Sequence, residues 1–255
     1  MKFDDLDQMM RVYETAHDRC VLPGTYIVAR IDGRSFTKLT KEKCDFERPF
    51  DIRFRDAMIE TTRHLMNCGF KVTYAYIESD EISLLFDFDI NVFSRKTRKY
   101  ISILAGEASA KFSLLLNQLA AFDCRICELP SKQVVVNYFR WRNEDAHRNA
   151  INAHCYWMLI KENLTKSETI SFIEKKTLAE KHALLLSRGI NFNELPDWQK
   201  RGVGLYWGSE EKTGFNPKEQ IEVVTKRSVI KVDMDLPKND NYGDFIAQFL
   251  SSIEN

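Results

Sequence analysis

Two hydrophobic periods alternate along the chain, and their order predicts the fold. Asp4 is placed to cap a first helix to about Asp18, with Leu6, Met9, Met10 and Tyr13 on one face. Pro23-Gly24 ends that region. Residues 26–31 (Tyr-Ile-Val-Ala-Arg-Ile) are a short β-rich run closed by Asp32-Gly33. Asp51 opens a helical pattern through Asn67 that stops at Gly69. Residues 70–77 and 82–88 read as two strands. The connection Glu78-Ser79-Asp80-Glu81 makes an unusually acidic hairpin turn. Ser94 is placed to cap a long helix to about Ala121, residues 122–129 alternate as a strand up to Pro130, and Ser131 caps another long helix to about Lys161.

The order is strand, helix, strand, strand, helix, strand. That is the split βαβ, ferredoxin-like order, an α+β class with a mainly antiparallel sheet and helices on one face. We assign residues 1–162 to this region and 163–255 to an extension packed on it. In the extension, one or two helices are expected between Lys166 and Ser187. A loop carries Pro196, Gly202 and Gly204. Short strands are expected at 204–207, 221–225 and 229–232, and the tail 251–255 is expected to fray.

Composition narrows the class. The 255 residues are 44% hydrophobic and carry 17 Phe, enough for a sizeable core rather than a disordered chain. Basic and acidic residues balance at 37 each, so only local basic clusters can argue for a polyanionic partner. Those clusters are 95–99 (Arg-Lys-Thr-Arg-Lys), Arg140 and Arg142 around Trp141 with Arg148 nearby, and Lys200-Arg201. Six cysteines within apolar runs suggest reduced thiols in a cytoplasmic protein. No apolar run is long enough for a membrane span, and the acidic N-terminus does not read as a signal peptide.

The candidate chemistry lies in the acids. In the ferredoxin-like order the first and third strands are neighbours, so Asp32 and Asp80 reach the same sheet edge. Glu78 and Glu81 flank Asp80, and three acids in four residues repel one another unless a cation relieves them. Oxygen ligands of this kind select Mg²⁺ or Mn²⁺. Two such ions suit an in-line displacement at phosphorus. Taken singly, Asp32-Gly33 is more often an ordinary turn and 78–81 a solvated loop. Their joint placement favours a metal.

At these residues a family resemblance enters. Residues 30–36 (Arg-Ile-Asp-Gly-Arg-Ser-Phe) and 79–83 (Ser-Asp-Glu-Ile-Ser) resemble motifs of the tRNA-His guanylyltransferases and the related guanylyltransferase-like proteins. So do Pro49, Asp51 and Arg53, the 93–99 segment with Ser102, and residues 138–142 with Asp145. The resemblance implies a palm-like polymerase fold that adds nucleotides to a tRNA 5′ end in the 3′→5′ direction, after ATP activates that end. It implies two Mg²⁺ held by Asp32, the Gly33 carbonyl and Asp80, with Glu81 beside them and Ser79 helping activation. ATP and GTP or other NTPs are the implied substrates, and a homotetramer the implied assembly. Gly33, Arg34, Ser35, Phe36, Arg48 and Ser79 fall in the nucleotide-binding motifs. Arg95 and Lys99, four apart on one helix face, are placed to grip phosphates. Arg140, Arg142, His147, Arg148 and Asn149 are the RNA-binding candidates.

Two departures matter. The tRNA-His enzymes carry His-Ile-Asn-Asn-Leu-Tyr-Asn where residues 147–153 here read His-Arg-Asn-Ala-Ile-Asn-Ala. The bacterial and archaeal guanylyltransferase-like proteins also lose that pattern. This favours repair of 5′-truncated tRNA over single guanosine addition to tRNA-His. Arg48 also stands where the family usually has Lys. The rival readings are a nucleotide cyclase of the same fold and an RNA-binding protein without catalysis. Cys124 and Cys127 face opposite ways on a strand, so zinc is not expected. Asp123 and Arg125 share a face as an ion pair, Lys200-Arg201 reads as surface charge, and His17, His64 and His182 form no constellation.

Overall fold

The computed structural model describes residues 1–216 and 221–250. Helix α1 (Phe3–Thr15) comes first, without a side-chain cap and with no buried residue. Strand β1 (Tyr26–Arg34) runs past the expected end, through Asp32 and Gly33. A short helix α2 (Phe36–Lys38) and a wide turn of helix (Leu39–Lys43) lead to α3 (Ile52–Asn67). Asp51 caps α3 by accepting from the Arg53 amide, as its position predicts. Strands β2 (Val72–Glu78) and β3 (Glu81–Phe86) form the hairpin.

Helix α4 (Thr97–Leu116) starts two residues later than a cap at Ser94 suggests, with Lys96 in the cap position. Phe93, Ser94 and Arg95 have φ of 53°, 52° and 58°, a left-handed run incompatible with a helix start. Strand β4 (Ala121–Leu129) and the 30-residue helix α5 (Lys132–Lys161), capped by Ser131, complete the first region. Helices α6 (Lys166–Glu174), α7 (Leu178–Leu186) and α8 (Asp197–Arg201) follow. Thr165 and Thr177 each close a capping box with a glutamate three residues on. The three short strands expected here are two long ones, β5 (Val203–Asn216) and β6 (Ile221–Asp233), before α9 (Asp240–Ala247). The tail 251–255 lies outside the described residues.

All strands pair antiparallel in one six-stranded sheet of order β4-β1-β3-β2-β5-β6. The expected β1–β3 adjacency is present. Strands of the extension continue the same sheet, because β5 pairs with β2. Helices cover both faces rather than one. Alternation sends Ile27, Ala29, Ile31, Ala75, Ile77, Ile82 and Leu84 into a core under α3 and α4. Tyr26, Val28, Tyr74, Tyr76 and Leu85 face α5 and α9. Both faces of these strands are apolar up to the acidic end, so no face is left for solvent.

Gly202 welds the extension to the hairpin. Its φ is +77°, and a Cβ there would lie 2.3 Å from the Ile77 carbonyl oxygen. The Tyr76 hydroxyl donates to the Arg201 carbonyl at 2.8 Å. Lys200 and Arg201 are buried, not surface charge. Lys200 donates to the Asn193 carbonyl and pairs with Asp197, and Arg201 pairs with Glu144.

A third core joins α5 to α6 and α7. Within it His147, His154 and His182 surround the Phe192 ring, at 5.4, 5.8 and 5.2 Å between ring centres. Burial holds His154 well below the ordinary imidazole range, at about 4. The unfolded chain therefore takes up a proton near pH 6.5 that the folded one refuses. The stability contribution is complete above that value and is lost as pH falls below it. Between pH 7 and 5 His154 alone costs about 2 kcal/mol. Urea unfolding at the two pH values should show a loss smaller by about that amount in His154→Phe than in the wild type.

Candidate active site at the acidic hairpin

The strand period decides which side chains meet. Ile27, Ala29 and Ile31 of β1 face α3 and α4, so Arg30 and Asp32 face α5. The same alternation turns Glu78 of β2 and Glu81 of β3 toward α5. Asp32 stands opposite Glu81, and Glu78 opposite Glu81. The hairpin turns through Ser79, whose φ is 52°. The Gly33 amide donates to the Asp80 carbonyl at 3.0 Å, tying the end of β1 to the turn. A Cβ on Gly33 would lie 2.5 Å from the Phe36 ring and 2.9 Å from the Asp80 Cβ. Glycine is therefore what lets the two aspartate segments approach.

The expected repulsion within 78–81 is real, and one buried and one half-buried arginine relieve much of it. Arg142 comes from the middle of α5 and donates to Glu81 Oε1 at 2.7 Å, Glu78 Oε2 at 3.0 Å and Asp145 Oδ2 at 3.1 Å. Arg30 pairs with Glu81 and lies 3.7 Å from Asp32. Asn149 donates to the other oxygen of Glu78 at 3.1 Å. Burial still lifts Glu78 and Glu81 above the usual carboxylate range, with Arg142 opposing it. Asp80 has no basic partner within 4 Å among the described residues. Burial, with Asp32 adding to it, pushes Asp80 up to about 6.

These donors fit a hard divalent ion. They are oxygen only, and Asp80 is the carboxylate left without a counter-charge. Among the described residues no three His, Cys, Asp or Glu gather into a closed metal cage. That suits magnesium, which is usually held by one or two carboxylates together with water and substrate phosphate.

The acids open into a cavity of about 550 Å³ between the strand ends, the 36–58 segment and α5. Asp32, Phe36, Arg48, Ser79, Asp80, Glu81, Arg142 and Asn149 line it. So do Lys41, Arg55, Trp157 and Trp198, which sequence reasoning did not single out. Arg55 lies 4.8 Å from the centre of the Trp198 ring. Lys41 sits in the wide helical turn Leu39–Lys43, and no motif in the sequence marks it. Trp157 sits within an apolar stretch of α5, and nothing in its spacing marks it as a site residue.

Several expected positions lie elsewhere. Arg34 and Ser35 are exposed and do not line the cavity. Arg95 does not share a helix face with Lys99. The left-handed run turns it inward, where it donates to the carbonyls of Val21, Leu22, Thr25 and Ile90. Lys99 does not line the cavity, while Lys96 and Arg98 pair with Asp18. Arg142 is too buried to touch RNA. Arg140 pairs with Asp240, His147 packs on Phe192, and Asn149 is committed to Glu78. Arg148 remains exposed. The Asp123–Arg125 ion pair is present at 3.5 Å, and all six cysteines are free.

The chain matches the family model described as tRNAHis guanylyltransferase over residues 7–130, and that of the Thg1 C terminal domain over 133–240. It is 32% identical to the tRNA(His) guanylyltransferase of Schizosaccharomyces pombe over 221 residues, which is 80% of this chain and 84% of the relative. A bacterial tRNA(His) guanylyltransferase (Thg1)-like protein in complex with ATP is similar with a TM-score of 0.75 at 28% identity, covering 96% of this chain and 99% of that one. The corresponding GTP complex has a TM-score of 0.72 at 29% identity, covering 96% and 98%. The tRNA(His) guanylyltransferase of Saccharomyces cerevisiae has a TM-score of 0.70 at 25% identity, covering 84% and 94%. The palm-like sheet, the acidic hairpin and these matches agree: the chain belongs to the tRNA(His) guanylyltransferase family of nucleotidyltransferases.

Proposed function

We propose that this protein adds nucleotides in the 3′→5′ direction to the 5′ end of truncated tRNA, after ATP-dependent activation of that end, by a two-metal nucleotidyl transfer. The observation that carries it is the division of labour among the acids. Arg142 and Arg30 neutralise Glu78 and Glu81, and Asp80 is left uncompensated at the turn beside Asp32. Asp32, Asp80 and the Gly33 carbonyl would hold two magnesium ions. When bound, these ions would lower the barrier by stabilising charge on the attacking and leaving oxygens.

The chain's own residues do the rest. Arg142 is a positioning residue that fixes both glutamates and ties α5 to the hairpin. Ser79, exposed at the strained turn, stands at the cavity where the 5′ phosphate is activated. Arg48 presents a guanidinium suited to bidentate phosphate contact. The aromatic walls exclude water from the reacting end. Exposed Arg148 contributes a cation to the RNA face.

The altered 147–153 segment supports repair over addition to tRNA-His alone. Asn149 is engaged with Glu78 and His147 with Phe192, so neither is free for a tRNA-His-specific RNA contact. Labelled NTP should be incorporated into several 5′-truncated tRNAs. Incorporation confined to full-length tRNA-His would favour the narrower activity, and none with any tRNA would sink the proposal.

Asp80→Asn should abolish incorporation and also remove the rise in melting temperature that Mg²⁺ gives the wild type. Arg142→Ala leaves buried Glu78 without its cation and Glu81 with Arg30 alone, and should cost about 3–5 kcal/mol of stability, read by urea unfolding. Arg142→Lys should recover part of that stability while losing the fork geometry.

A further inference from the structure

Arg48 and Lys41 both lie over one ring. The Arg48 guanidinium carbon is 4.5 Å from the centre of Trp157, and the Lys41 ammonium is 5.0 Å from it and 5.5 Å from the centre of Tyr156. Arg48 also donates to the Lys41 carbonyl at 2.9 Å, which ties the two cation-bearing residues together across the 41–48 segment. Among the described residues neither forms an ion pair within 4 Å, although Glu47 lines the same cavity. Burial and the neighbouring Lys166 and Arg48 make the Lys41 charge costly, and its affinity for a proton is lowered accordingly. Paired cations kept together without an acid are poised for a polyanion.

The place of the cluster says which part of the substrate it meets. Trp157 lies fifteen residues beyond Arg142 on α5, about 22 Å of helix. Arg142 touches the acids, so the cation pair sits along the cavity from the metal-binding end. The site is not confined to the reacting phosphorus.

We infer that Lys41 and Arg48, braced on Trp157, form a second phosphate-binding subsite that takes the phosphate chain of the substrate away from the reacting centre. This inference rests on the 5′-end reading above for the identity of the substrate, but not for the existence of the site. The chemistry recognised is a phosphate chain. It can come from the polyphosphate of a nucleoside triphosphate or from the backbone phosphates that follow an RNA 5′ end. Arg48 supplies a planar fork, Lys41 a movable point charge, and Trp157 keeps both from collapsing onto nearby acids.

The test is equilibrium binding to the full chain in the presence of a metal chelator, so that the carboxylates contribute no metal-mediated affinity. Inorganic tripolyphosphate, ATP and a short 5′-phosphorylated RNA are the probes. Lys41→Ala should weaken tripolyphosphate about tenfold, the loss of one charge-assisted contact. Trp157→Leu should weaken it too, and Trp157→Phe should restore it, which a merely structural role would not predict. An unchanged melting temperature for Lys41→Ala establishes that the fold is intact. A loss shared by ATP and not by RNA assigns the nucleotide tail, and the converse assigns the RNA backbone. Binding of all three probes indifferent to Lys41 and Trp157 overturns the subsite. Tripolyphosphate binding that depends on Lys41, in a protein that incorporates no nucleotide, would overturn the 5′-end reading and leave the subsite standing.

Discussion

The site depends on one interaction, the guanidinium of Arg142 set between Glu78 and Glu81. Two carboxylates on adjacent strand ends cannot both be charged and buried without a nearby cation. Without the arginine the hairpin would open toward water, and Asp80 would move with it. With it, β2, β3 and α5 are fixed to one another at the point where the chemistry is placed. The arginine acts through geometry as much as charge, since its fork reaches two strands at once. Asp145 and Asn149, about one and two turns further along α5, complete the cradle.

Much of this was legible in the chain. The strand period, the caps at Asp51 and Ser131 and the acidic turn locate the first region to within a few residues, because each rests on local chemistry. The pairing of β1 with β3 also follows from the order of elements. The destinations of the arginines do not. Arg95 and Arg142 both belong to basic clusters, and charge along a sequence does not say whether a side chain turns inward. Arg95 turns in because three left-handed residues precede α4. Arg142 turns in because Tyr138, Phe139 and Arg142 share the α5 face that meets the sheet. Surface charge was likewise the wrong expectation for Lys200 and Arg201, whose burial depends on α8 packing against α5.

The extension was least legible. Its first strand, β5, pairs with β2 more than a hundred positions earlier, and no local pattern encodes that partner. The histidines around Phe192 come from two helices and would not be grouped by any spacing rule. Lys41 and Trp157 are also brought together across more than a hundred residues, so their cavity emerges only with the complete fold.

The strand order carries a consequence for how the chain is made. β2 is the inner neighbour of β5, yet β5 begins at Val203, some 125 residues after β2 ends. During synthesis the hairpin, β1 and β4 can pair while β2 still presents a bare row of amides and carbonyls. At ordinary elongation speeds that edge waits on the order of ten seconds for its partner. An apolar strand held open for that time is an invitation to pair with another nascent chain. Tyr74 and Tyr76, which later face α9 and Arg201, are the residues a chaperone would have to cover in the interval.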